Sequence, residues 1–193
     1  ALAVFSGILV AQALGSPGGH LNPAVSLFSA IRSHDFSQLV TYWTAQFAGA
    51  IAGSVLVWLQ YFPHWEATED ANLKLDCYCT APAIRNAPFN AISEFIGTAV
   101  LLIVTSSLGS KGVGGLAPGL SAPLVGGVVW AIGLSLGGPT GYAINPARDL
   151  GPRIAHFLLP IAGKRDSNWS YAWVPVVGPL LAAVVCALLL PTL

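Results

Sequence analysis

The chain has 193 residues, 54% of them hydrophobic and only 8% charged, with a mean hydropathy of +0.69. A soluble domain carries about 25% charged residues, so an ordinary water-soluble globule is excluded. Eight basic residues balance eight acidic ones, which removes the basic footprint that nucleic-acid binding requires.

The first element, Ala1 to Leu14, is an apolar run with no basic start and no cleavage site, so it reads as part of a spanning helix rather than a signal peptide. The chain holds no methionine, and its start reads as lying inside a longer sequence. Gly15, Gly18 and Gly19 then lead into Asn22-Pro23-Ala24, which opens a helix-forming stretch ending near Arg32. Asparagine is a favoured N-cap, and proline at the first helical position loses no needed N–H. This stretch is about half the roughly 20 residues that a bilayer crossing takes.

Leu39 to Phe62 is the next element, a full-length span without a formal charge. A polar connection follows over 63–88, holding Glu66, Glu69, Asp70, Lys74, Asp76 and Arg85. Phe89 to Leu108 is a second full span with one acid inside it, Glu94. Ala122 to Leu136 is shorter and glycine-rich. Gly137, Gly138 and Gly141 then precede Asn145-Pro146-Ala147, the start of a second short helix running to Leu159. A second polar connection carries Lys164, Arg165 and Asp166, and Tyr171 to Leu190 is the last span, interrupted by Pro175 and Pro179. Arg32 and Lys111 in the short links oppose Lys74, Arg85, Lys164 and Arg165 on the other side, so the positive-inside rule gives no orientation. The fold class is therefore an all-α membrane protein.

The two Asn-Pro-Ala triplets stand 123 positions apart, and the order span, half-helix, span repeats around them. Phe89–Leu108 has no counterpart in the first half; its partner would fall before residue 1. Units with an odd number of spans insert upside down relative to each other, which is the inverted-repeat architecture of transport proteins. The organisation expected is one channel domain over 1–193: a partial first repeat at 1–62, a connecting loop at 63–88 and a second repeat at 89–193.

Non-helical backbone at membrane depth is tolerated only inside protein or along a wet cavity. Two half-helices entering from opposite faces would meet start to start, each with about half a positive charge at its tip. Asn22 and Asn145 would then offer N–H donors to a passing oxygen. The peptides of Gly18, Gly19, His20, Gly141 and Ala143 would supply carbonyl acceptors. Such a path suits neutral hydroxylated molecules and repels cations and protons. Arg148, always charged and one turn into the second half-helix, would donate to solute, since an intramembrane charge is functional by default. Asp149, beside a helix start that favours acids, is read as structural support.

Gly19-His20-Leu21-Asn22-Pro23-Ala24-Val25 and Gly141-Tyr142-Ala143-Ile144-Asn145-Pro146-Ala147-Arg148-Asp149 resemble the paired signature of the aquaporin family, and the second resembles its glycerol-facilitator branch, the aquaglyceroporins. The resemblance covers the chain from the second helix of that fold onward. It implies spanning helices plus two re-entrant half-helices around one pore per subunit, a homotetramer in the lipid bilayer, and a multi-pass protein of the plasma (inner) membrane. Glycerol-type choices stand at Tyr61, Asp149, Arg153 and Pro175, with Val176 where leucine is usual. The implied selectivity filter is Arg148, Tyr142, Gly133 and, by ungapped counting, Leu2. The resemblance also implies that the Glu94 carboxylate ties down amides of the second entering loop.

The function expected is a passive channel for glycerol, water and other small neutral solutes, with no cofactor and no metal. Three cysteines, Cys77, Cys79 and Cys186, are too few for a disulfide framework, and Cys-x-Cys is not a zinc spacing. No nucleophile has a base at a usable spacing within the spans, so an enzyme is not expected. A water-selective channel, a channel of the same fold for urea, lactic acid or hydrogen peroxide, and a secondary transporter coupled to ions through Glu94 remain the alternatives. A closed, adhesive use of the fold is a further one.

Overall fold

The computed structural model describes residues 1–16, 18–117 and 119–191; the side chain of Lys111, counted above among the link cations, lies outside the described set. Its α-helices, in chain order, are α1 (Leu2–Ala13), α2 (Pro23–Ser33), α3 (Leu39–Gln60), α4 (His64–Ala67), α5 (Ala71–Asp76), α6 (Ala87–Leu108), α7 (Ser121–Leu136), α8 (Pro146–Leu158) and α9 (Val174–Leu189). At 1.5 Å per residue, the 22 residues of α3 and of α6 reach about 33 Å, enough for a hydrocarbon core of about 30 Å. A short 3₁₀ turn at Trp169–Tyr171 extends α9 into a third segment of that length, Trp169–Leu189.

The half-helices α2 and α8 have 11 and 13 residues and cannot cross. Both begin as their sequences require. Asn22 and Asn145 hold extended backbone at the N-cap, with proline directly after. The Oδ1 of Asn22 accepts from the Ala24 N–H at 2.9 Å, and that of Asn145 from the Ala147 and Arg148 N–H groups at 3.0 and 3.2 Å. α2 ends at His34, a left-handed residue (φ 53°) after which the Asp35 N–H returns to the Ala30 carbonyl, a helix-ending pattern that glycine more often supplies.

The packing pairs exchange between the halves. α2 lies against α9 and α8 against α3, while α1 meets α7. Each half-helix is thus held by the last span of the opposite half, the relation that an inverted repeat imposes. Their tips are deep inside: Ala24 and Ala147 are buried, Ala24 with Leu102, Ala183 and Cys186, and Ile144 with Leu101, Val129 and Ile132.

One detail differs from the sequence reading and another adds to it. The connection at 63–88 carries α4 and α5, too short for a periodic signal, and Trp65 and Tyr78 pack there with Ile161 of the second connection. Small residues also mark close approach on one helix only. On α9, Gly178, Ala182 and Ala183 are buried, and a Cβ at Gly178 would stand 2.8 Å from the Ala91 carbonyl oxygen of α6. On α3, no described atom lies within 4 Å of a Cβ built at Gly49 or Gly53; that helix touches α8 through Ala50, which faces Gly151.

Gly178→Ala is therefore expected to destabilise the folded chain by about 1–3 kcal/mol, because the obstructing atom is backbone and cannot step aside. Gly49→Ala should be neutral or slightly stabilising through helix propensity. Unfolding of the two variants in detergent, followed by circular dichroism, checks the contrast.

Candidate functional site: a cavity at the meeting of two half-helices

The tips of α2 and α8 are tied by an exchange of hydrogen bonds. Asn22 Nδ2 donates to the Ile144 carbonyl at 2.7 Å, and Asn145 Nδ2 donates to the Leu21 carbonyl at 2.9 Å. Each Oδ1 is committed to its own helix start. A carboxamide has two N–H donors, so each asparagine retains one for a solute. The sequence reading gave both asparagines to the solute alone; half of that donor capacity fastens the opposing loop.

The loop entering α8 is held by Glu94. The carboxylate, fully buried, accepts from the Ala143 N–H at 3.0 Å and the Ile144 N–H at 2.6 Å. These bonds secure an unusual backbone: Tyr142 and Ile144 have φ of 41° and 43°, a region that is costly for any side chain and most of all for a β-branched one. The loop entering α2 is fixed differently. Gln46 of α3 donates through Nε2 to the His20 carbonyl and to Ser26 Oγ, both at 2.9 Å, and Trp43 Nε1 donates to the Pro23 carbonyl at 3.0 Å. Sequence reasoning missed Gln46; the available signal was a carboxamide in the middle of an apolar span.

Between these elements lies a cavity of about 700 Å³. Gly18, Gly19, His20, Asn22, Tyr142, Ala143, Asn145 and Arg148 all line it, and so bring together most of the residues singled out from the sequence. Facing them are apolar side chains of α1, α6 and α7, among them Ile8, Leu101 and Val129. The cavity thus sets hydrogen-bonding groups of the entering loops beside hydrocarbon of the spans, where Gln12, Thr105, Ser106 and Ser121 are the polar exceptions. Pro23, Ala24, Pro146 and Ala147 are buried behind the asparagines and shape the tips without reaching the cavity.

Three expected lining residues stand elsewhere. Leu2 is 79% exposed and turned outward from α1, leaving Ala1, Ala3 and Val4 on the wall. Gly133 lies behind the filter: a Cβ there would be 2.8 Å from Tyr142 Cζ, so the space it leaves is filled by the tyrosine ring. Gly141 backs onto Thr80, with φ of 76°.

Two arginines of α8 divide the work. Arg153 is fully buried and all five of its N–H groups are used: Nε and Nη2 to Asp149, Nη2 also to the Thr80 carbonyl, and Nη1 to the Ser167 and Asn168 carbonyls. Asp149 accepts in addition from the Thr80 N–H and hydroxyl, both at 2.7 Å. This ion pair bolts both polar connections onto α8. Arg148, by contrast, is exposed to the cavity, and its guanidinium donates to no atom of the described residues. Thr80, the hinge of the buried network, carries no sequence signal of its own. Close by, burial pushes the Cys79 thiol up to about 12, which keeps it protonated and unreactive.

Glu94→Gln puts an amide NH₂ against two backbone N–H groups. It is expected to cost about 1–3 kcal/mol by leaving one of those donors unpaired. Detergent unfolding should show the loss, and Glu94→Asp, which keeps both acceptor oxygens, should recover part of it.

The comparisons with known proteins agree with this geometry. The family model described as "Major intrinsic protein" matches residues 1–190. A probable glycerol uptake facilitator protein of Thermotoga maritima is 52% identical over 171 residues, covering 88% of this chain and 72% of that protein. A glycerol uptake facilitator protein of Streptococcus pneumoniae is 48% identical over 191 residues, covering 94% and 79%. The X-ray structure of the aquaglyceroporin from Plasmodium falciparum superposes with a TM-score of 0.77 at 32% identity, covering 97% of this chain and 76% of that one. With its capped half-helices exchanging asparagine bonds across the cavity, this chain is an integral membrane protein of the major intrinsic protein family.

Proposed function

We propose that the chain is a passive channel for glycerol and other small uncharged polar solutes, with water following the same path and ions and protons excluded. The observation that carries this is the mixed lining of the cavity at the half-helix tips, where N–H and carbonyl groups of the entering loops stand beside hydrocarbon of the spans. A polyol has the matching asymmetry, with hydroxyls along one edge and C–H groups along the other. The names of the relatives, glycerol facilitators and an aquaglyceroporin, point to the same solute class.

In this reading the solute exchanges hydration for the free N–H groups of Asn22 and Asn145, the carbonyls beside them and the Arg148 guanidinium. Tyr142 is the size gate. The positive half-helix tips, together with Arg148, raise the barrier to cations, as in aquaporin-type pores generally. No bond is made or broken, so the chain is a channel and not an enzyme. Residues 1–193 act as one channel domain with repeats at 1–62 and 89–193. Subunits assemble as a homotetramer in the plasma (inner) membrane, with the apolar outer faces of α1 and α3 set against lipid or neighbouring protein.

Reconstituted vesicles in a glycerol gradient, followed by stopped-flow light scattering, should swell far faster than empty ones, and the rate should not respond to proton or sodium gradients. Swelling at the empty-vesicle rate would overturn the reading, and gradient dependence would favour coupled transport. Tyr142→Trp should slow glycerol more than water. Equal loss of both would remove Tyr142 as the gate.

A further inference from the structure

Away from Arg148, the cavity has a second arginine. Arg32 lies on α2 ten residues beyond Asn22, about 15 Å along the helix axis, and it lines the same cavity. Its guanidinium is held by the end of α9: Nη1 donates to the Leu190 carbonyl, and Nη2 donates to the Pro191 carbonyl at 2.8 Å. A cation is favoured at a helix C-terminus, so the group is anchored rather than free to snorkel. Guanidinium has five N–H groups. Two are taken by these carbonyls, and three remain.

Phe28 is one turn before Arg32 on the same face of α2 and also lines the cavity, packed against the cluster of Ala24, Leu102, Ala183 and Cys186. One turn on from Leu101 and Leu102, Thr105 and Ser106 of α6 complete the wall. Their hydroxyls donate back to the Leu101 and Leu102 carbonyls at 2.7 and 2.6 Å. Their oxygens therefore keep lone pairs to accept from a solute. The combination parallels Tyr142 and Arg148 at the other end, a guanidinium and an aromatic ring on the cavity wall, with the difference that the Arg32 guanidinium is anchored.

We propose that Arg32 and Phe28, with Thr105 and Ser106, form a second polyol subsite at the mouth opposite Arg148. It takes solutes with adjacent hydroxyls: two neighbouring oxygens accept from the guanidinium, one hydroxyl donates to Thr105 or Ser106, and the C–H edge rests on Phe28. A solute leaving the asparagines is passed to a matched site before it meets bulk water. This inference rests on the polyol-channel reading above and adds a specificity determinant to it.

The test is made on the full chain in vesicles, with radiolabelled glycerol and erythritol flux and osmotic water permeability measured on the same preparations. Arg32→Ala should lower the glycerol-to-water permeability ratio about threefold or more, in line with the loss of one or two net hydrogen bonds, and erythritol should fall further. Thr105→Val, which keeps shape and disturbs neither Leu190 nor Pro191, should lower the ratio about twofold. If Arg32→Ala does not assemble, Thr105→Val decides alone. Unchanged ratios, or parallel loss of water and glycerol, overturn the subsite while a glycerol-conducting parent leaves the channel intact. A parent without glycerol flux above empty vesicles would instead remove the channel reading and the subsite with it.

Discussion

Two helix starts, each carrying about half a positive charge, do not meet tip to tip without something to bind them. Here the binding is an exchange: Asn22 donates to the peptide before Asn145, and Asn145 donates to the peptide before Asn22. The same side chains cap their own helices through Oδ1. Asn145 thereby spends three of its four hydrogen-bonding positions on structure, and Asn22 two. What is left, one N–H on each, is aimed by everything around it. A carboxylate in either place would lose both N–H donors and add negative charge at the meeting point. An aliphatic residue would lose cap and crossing bond together. The function proposed for the cavity depends on this one exchange.

The surrounding structure keeps the exchange in place from three directions. Glu94 holds a loop whose left-handed Tyr142 and Ile144 would otherwise relax. Gln46 and Trp43 brace the opposite loop from α3. The buried Asp149–Arg153 pair ties α8 to both polar connections, with every arginine N–H satisfied. A buried ion pair is weak evidence for net stability, but its removal one partner at a time would strand a charge. Its role is best described as fixing where the Arg148 end of the cavity sits relative to the connections.

Much of this was legible from residue order alone, and the reasons are local. Asn-Pro after glycines marks a helix start whatever the tertiary context, so both half-helices began at the residues expected. The long spans were visible because a membrane enforces apolar runs of about 20 residues. The misplacements share a cause as well. α1 is apolar almost all round, so nothing in its sequence shows which face is inward, and Leu2 was assigned to a wall that Ala1, Ala3 and Val4 form. Gly133 was placed in the filter, whereas the ring of Tyr142, itself in a left-handed conformation, fills the space beside it. Thr80, Gln46 and the short helices α4 and α5 depend on contacts between segments far apart in the chain, which periodicity does not carry.

The proposed channel depends on paired amides at two positive tips that admit neutral hydroxylated molecules and refuse charge. Electrical recording from planar bilayers holding the reconstituted chain tests it most directly, run on the same preparation for which glycerol flux is measured. Vigorous glycerol flux is expected, with no sodium, potassium or proton current above that of the bare bilayer. A steady cation current scaling with protein density would contradict it.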